Sequence, residues 1–298
     1  MKTSEIRKLP IWALVLTGIV LFWSYPSQAA EFWFEPIEDG TDIAVLTLYG
    51  EIVDGDAERF LNALVASIKE RGQYIDKVNL FSPGGNAAEG ILIGRIINKY
   101  YLATEAPTVV EDDLACFGHP GNVKQPFNYS KDRNCICASA CAIAWLGGIE
   151  RYGVAGFHRV YSVDPTVSAS RMKEMRRFFD TEIDDYLAEV AAPSFVKELI
   201  ERSDQYGLSF PTEAQQAALL ENVDHANTVY AGCQAFNMST DQKTNLLELR
   251  QKSDQNTLDA NEQKMLDHLE LAYEQRSLCR EQIRRRELYE RQSELQGE

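Results

Sequence analysis

The chain has 298 residues, with 45 acidic against 30 basic side chains and a formal net charge of −15. So acidic a surface excludes nucleic acid and anionic lipid as charge-held partners. The length suits one large domain, or one medium domain with an appendage.

Lys2, Arg7 and Lys8 precede the uncharged apolar run Ile11 to Trp23, and Ser27-Gln28-Ala29 offers small residues at both cleavage-site positions. This is the grammar of a cleavable signal peptide over residues 1–29, and the run is short for a membrane span, which would be the alternative as an uncleaved anchor. Cleavage after Ala29 removes three basic residues and Glu5, deepening the net charge to about −17. The expected location is the periplasm.

Ile43 to Tyr49, ending at Gly50, has the β-rich composition of a first core strand. Asp56 can cap a helix with Phe60, Leu61, Leu64, Val65 and Ile68 on one face, and Gly72 stops it. Val78 to Phe81 forms a short strand leading into Ser82-Pro83-Gly84-Gly85, followed by a helix bearing Ile91, Ile93, Ile96 and Ile97. Thr108 to Val110 reads as another strand. The order β-α-β-α-β predicts an α/β domain with largely parallel strands.

Residues 116–135, rich in Gly, Pro, Asn and Lys, break that rhythm as an inserted surface loop. Ser139 to Gly148 reads as a short apolar helix and Val154 to Tyr161 as a strand. A helix from about Ser168 to Val190 carries Met172, Met175, Phe179, Ile183, Tyr186, Leu187 and Val190 as a core stripe. Residues 236–298 form a charged helical extension. There Asp259 and Glu262 make a capping pair for a helix with Met265, Leu269, Ala272, Cys279 and Ile283 on one stripe, and Arg284-Arg285-Arg286 reads as a solvated face.

All six cysteines lie beyond the leader, and an even count in an exported chain suggests disulfides. The preferred pairing closes the insertion through Cys116 and Cys135; Cys233 with Cys279 is a second candidate that clips the base of the extension. The redox state of Cys137 and Cys141 stays open. The spacing of Cys135, Cys137 and Cys141 is not a usual zinc arrangement, and neither metal nor cofactor is expected.

Three features carry chemistry. Ser82-Pro83-Gly84-Gly85 sits between strand and helix, where glycines bring bare N–H groups to a ligand, although such a turn is also common without function. Ser139, within Cys137-Ala138-Ser139-Ala140-Cys141, can present a hydroxyl beside the next N–H, or can simply cap the helix. His158 alone among His119, His158, His225 and His268 falls in an expected core strand, where a structural role is the alternative.

Together these residues, with Gly50, Glu89-Gly90, Leu146-Gly147-Gly148 and Gly156-Phe157-His158, resemble the proteolytic subunit of Clp protease, and more narrowly its periplasmic serine-protease-like relatives. The resemblance runs from about residue 43 to 226. It implies a crotonase-type β-α spiral over residues 30–235 and an ATP-independent serine endopeptidase. Ser139 would be the nucleophile, His158 the base, and the N–H groups of Gly85 and Ala140 the oxyanion hole, with Gly84 close behind Gly85. The third member is expected shortly before Thr212-Glu213-Ala214-Gln215, which favours Asp204, with Asp164 and Asp224 as alternatives. Lys77 or Lys99 would serve a Ser-Lys variant. Expected substrates are peptides or unfolded segments. No ATPase partner is expected, and a homo-oligomer is open. The other readings are a crotonase-type acyl-CoA enzyme and a catalytically inactive, protein-binding scaffold.

Overall fold

A computed structural model of the chain describes residues 29–37, 42–110, 113–115, 136–159, 168–202, 207–220, 230–236 and 238–297. The protein is mixed α/β around a five-stranded sheet. Strand β1 (Glu31–Pro36) lies antiparallel on β2 (Ile43–Tyr49), and β2, β3 (Tyr74–Phe81), β4 (Ala103–Glu105) and β7 (Arg151–Tyr152) follow in parallel and in chain order. Leu46 and Leu48 of β2 stand opposite Val78 and Leu80 of β3, and all four are buried. Ala44 and Thr47, on opposite faces of β2, are buried as well, which is how a parallel sheet covered on both sides reads.

Helix α1 (Asp56–Arg71) buries Phe60, Leu64 and Ile68, one helical turn apart. Gly72 closes it at φ +65°, donating its N–H to the Ile68 carbonyl. Asp56 occupies the first helical position rather than the cap, and its buried carboxylate accepts the Val53 N–H at 2.7 Å. Helix α2 (Ala87–Lys99) is capped by Asn86, whose side chain accepts from the N–H groups of Ala88 and Glu89. Every residue of the short helix α3 (Ala140–Trp145) is buried.

Between these strands and helices the chain makes single-residue bridges: Ile52 with Gly85, Ser82 with Cys137, and Ala138 with Gly156, all parallel. The result is a repeated strand–bridge–helix unit. It gathers residues 51–52, 82–85, 137–138 and 156–157 side by side just past the strands' carboxyl ends.

Two strand expectations need correction. The core strand after α2 is β4, whereas Thr108–Val110 (β5), among the described residues, pairs with Asp113–Ala115 (β6) in a separate two-stranded ribbon. Short Ala103-Thr104-Glu105 carries little β signal of its own; its place comes from pairing with β3. The strand expected over 154–161 begins earlier, at Arg151, and ends at Tyr152, so His158 lies beyond a bridge rather than within a strand. Gly153 sits at φ +79°, where a Cβ would meet the Ala106 carbonyl oxygen at 1.8 Å.

The helices that follow are α4 (Ala169–Glu189), α5 (Phe195–Arg202), α6 (Glu213–Leu220), α7 (Thr240–Asp254) and α8 (Ala260–Ser293). Arg151 is buried and donates to the carbonyls of Leu146, Val190 and Leu219, at the carboxyl ends of α3, α4 and α6. Carboxyl-terminal carbonyls concentrate negative partial charge, so one guanidinium gathers three helix ends. Burial brings its pKa down to about 10, with the cation still favoured at neutral pH.

Met238, Leu246, Leu249, Leu266 and Leu269 give α7 and α8 a small core of their own. The expected capping box at Asp259 and Glu262 is present, but Met265 is exposed and Leu266 takes the inward position. The distal half of α8 is no detached appendage: Leu288, and Leu295 in the 3-10 turn Glu294–Gln296 just beyond it, belong to the main core, and the buried Gln292 side chain bonds both the N–H and the carbonyl of Ile75. Arg284 is not a solvated charge; it pairs with Asp76 at 2.8 Å and faces Glu150 at 3.5 Å, while Arg285 and Arg286 stay exposed. Among the described residues no helix is long and apolar enough to cross a membrane.

Candidate active site

Ser139 is where the chain turns from the Cys137–Ala138 bridge into α3. Its φ of +58° and ψ of −120° are those of the first central position of a type II′ turn, which glycine ordinarily occupies. The Cys141 N–H closes that turn on the Ala138 carbonyl at 3.0 Å. Holding a serine there costs on the order of 1–3 kcal/mol and requires surroundings that over-determine it. The Ser139 side chain makes no capping bond to α3, so the helix-cap reading of this residue does not hold.

The surroundings are identifiable. The Ser139 N–H donates to the Gly156 carbonyl at 2.9 Å, and the Gly156 N–H to the Cys137 carbonyl at 2.9 Å. From the other side Gly84, at φ +103°, presses against the elbow, and Gly90 of α2 lies so near α3 that a Cβ would meet the Ala140 carbonyl oxygen at 2.5 Å. Glu89 beside it accepts the Ala57 N–H, tying α2 to the start of α1.

The two glycines of the Ser82–Gly85 loop differ in what their N–H groups do. That of Gly84 donates to Ser82 Oγ at 3.1 Å, while those of Gly85 and Ala140 donate to no acceptor among the described residues. Gly85 is held by the neighbouring Ile52–Gly84 and Asn86–Ile52 backbone bonds. Sequence reasoning missed Ser82 as the residue that distinguishes the two glycines; its hydroxyl two residues before Gly84 was the available signal.

His158 is half-buried, two residues past the bridge partner of Ala138. Its Nδ1 lies 2.7 Å from the Arg159 carbonyl oxygen. A carbonyl only accepts, so Nδ1 carries the proton and Nε2 is the basic nitrogen of the neutral ring. Phe157 exchanges two backbone bonds with Ser209, and the Arg159 guanidinium donates to the Glu201 carbonyl at 2.7 Å. The chain on either side of Asp204 is therefore pinned on the residues flanking His158. Asp204 itself, like Asp164, Asp224, Cys116 and Cys135, lies outside the described residues.

Among the described residues two disulfides are present. Cys233–Cys279 joins the 3-10 turn Tyr230–Phe236 to α8, as expected, and Cys137–Cys141 spans the Ser139 elbow with both cysteines buried. Such bonds belong to an oxidising environment. The two lysines of the alternative dyad are elsewhere. Lys77 pairs with Glu105, roughly 16 Å of strand before Ser82. Lys99 ends α2, about 20 Å of helix from Gly85. The Tyr186 hydroxyl donates to the Ile143 carbonyl at 2.7 Å, fastening α4 to α3, and burial raises its pKa well above the ordinary phenol range. Among the described residues no cluster of His, Cys, Asp or Glu could hold a metal ion.

The chain matches no model of a known protein family, and a search among curated proteins finds no match.

Proposed function

We propose that the protein is an exported serine peptidase of Clp-protease-like, crotonase-type architecture, working in the periplasm on peptides or unfolded segments without an ATPase partner. The observation that carries this reading is the backbone of Ser139, held at φ +58° between the Gly84 turn and the Gly156 bridge. A strand-to-helix turn of this kind lifts a hydroxyl clear of its own helix and leaves the next N–H facing the same space. The repeated strand–bridge–helix unit supports the spiral architecture.

Ser139 Oγ attacks the scissile carbonyl carbon while His158 Nε2 takes its proton. The carbonyl oxygen, becoming an oxyanion, is met by the N–H groups of Gly85 and Ala140. His158 then returns the proton to the leaving amine, and water hydrolyses the acyl–enzyme by the same steps in reverse roles. Asp204 supports the imidazolium by taking the place of the Arg159 carbonyl at Nδ1, and the pinning of the chain near it on Phe157 and Arg159 favours it over Asp164 and Asp224.

A fluorophosphonate probe, with peptide mapping of the adduct, tests the reading. Labelling at Ser139 that disappears in Ser139→Ala and His158→Ala is the expected result. Absence of any adduct on a folded, oxidised protein leaves the inactive binding scaffold as the function. Asp204→Asn should slow turnover by about 10⁴-fold if the carboxylate is the triad member; wild-type turnover in that variant removes Asp204 from the mechanism.

A further inference from the structure

The amino end of the described chain makes an unusual contact. The backbone nitrogen of Ala30 lies 3.4 Å from Oδ2 of Asp56, in surroundings that bury Ala30 to 2% exposure and Asp56 to 0%. The same oxygen accepts the Val53 N–H at 2.7 Å, and Arg59 pairs with the other carboxylate oxygen. The carboxylate thus anchors the Val53–Asp56 turn. That turn follows Ile52, which is bonded on both sides to the Gly84–Asn86 segment. In the sequence, Ala30 is also the residue that follows the cleavage signature Ser27-Gln28-Ala29.

We propose that Ala30 is a processing-generated amino terminus whose α-ammonium forms a buried ion pair with Asp56. The inference rests on the export reading and is independent of the catalytic one. A leader-cleaving endopeptidase adds water across the Ala29–Ala30 peptide bond; the C–N bond breaks, Ala29 leaves with a carboxylate, and the amine on Ala30 is protonated. A neutral amide donor at 3.4 Å is replaced by a cation, whose hydrogen bonds to a carboxylate are shorter and stronger. Processing also removes Ala29 from its bridge to Glu51, so the ion pair takes over the anchoring of this end.

The charged groups around the new ammonium are named by the structure. Asp56 and Arg59 come from α1, Glu89 reaches the same turn from α2 through the Ala57 N–H, Glu51 borders it beyond Ile52, and Glu31 follows Ala30 in the chain. Burial and Arg59 disfavour the charged amine, so the pair requires the direct Asp56 contact to outweigh them, and the amine's pKa then lies above the ordinary 7.7–8.0. A raised folded-state pKa contributes stability that is complete below about 7.7 and is lost as pH rises through the folded value.

The test compares protein beginning at Ala30 with protein carrying Gly-Ser ahead of Ala30, each with and without Asp56→Asn. The Ala30 form should melt about 5 °C higher at pH 7, with the advantage fading above pH 8 and absent in the Asp56→Asn pair. Equal melting at every pH overturns the ion pair. If Asp56→Asn does not fold, direct titration of the isotope-labelled Ala30 amine decides instead: an ordinary pKa overturns the proposal and a raised one supports it. The mass of the secreted protein tests the export reading separately: an amino terminus other than Ala30 rejects the processing site, whatever the engineered forms show of the pairing.

Discussion

A Cβ placed on Gly84 would come within 2.5 Å of the Cβ of Ser139, and within 2.7 Å of the Ala138 carbonyl oxygen. The glycine's φ of +103° adds a conformational penalty for any L side chain. Gly84→Ala should therefore push the elbow away from its turn geometry. We expect loss of probe labelling at Ser139 together with about 2–4 kcal/mol of destabilisation, read by intact-mass kinetics and denaturant unfolding. Gly72→Ala is the control. It is also at positive φ, but nothing lies within 4 Å of its added Cβ, so it should cost stability and spare labelling.

The Cys137–Cys141 bond ties the bridge before Ser139 to the first turn of α3 after it, with 5.2 Å between the two Cα atoms. Cys137→Ala/Cys141→Ala should slow labelling of Ser139 by about 100-fold, the scale of a small misplacement of a reacting group. The matched pair Cys233→Ala/Cys279→Ala should label at the wild-type rate, because that bond joins the 3-10 turn to α8 instead. Circular dichroism on both variants separates loss of geometry from loss of fold.

Arg151→Met should lower stability by about 3 kcal/mol. Three buried helix-end carbonyls lose their donor, each costing about 1–3 kcal/mol, and the relief of burying a cation offsets part of that sum. Arg151→Lys should recover only a part, since a single ammonium does not reproduce a planar fork reaching Leu146, Val190 and Leu219. Urea midpoints for the three proteins give the order directly.

The start of α8 should loosen in acid. Bonds from the N–H groups of Glu262 and Asn261 hold the Asp259 carboxyl below its ordinary 3.8. The Lys252 ammonium and the Asp259 N–H hold Glu262 below 4.5. Lowered folded values mean stabilisation that is complete above pH 4.5 and lost as pH falls through them. Amides 261–263 should exchange faster at pH 3 than at pH 6 after correction for intrinsic rates, and Asp259→Ala should flatten that difference.

Local chemistry was readable. Gly72, the Ser168 start of α4 and the Asp259–Glu262 box depend on residues within one turn of each other, and each stands where its side chains imply. Pairing was not. Thr108-Val109-Val110 has the stronger β composition, yet Ala103-Thr104-Glu105 lies in the main sheet, because strand membership there is settled by β3 and β7 on either side. In the candidate site, Ser139 and the glycine loop stood out as residue types. The closeness of Gly90 to Ala140, the contest for the Gly84 N–H and the burial of Arg151 are products of tertiary contact, and no spacing along the chain encodes them.

The bonds between Gln292 and Ile75 span 217 positions. During synthesis, residue 75 leaves the ribosome long before residue 292 exists, so both polar backbone groups of Ile75 must wait on water or a provisional partner. Leu288 and Leu295 reach the core equally late. A nascent chain stalled before residue 288 would carry an open seam along the main sheet, the kind of surface that chaperones hold and proteases cut. Arrival of residues 288–295 is thereby built into the burial of β3.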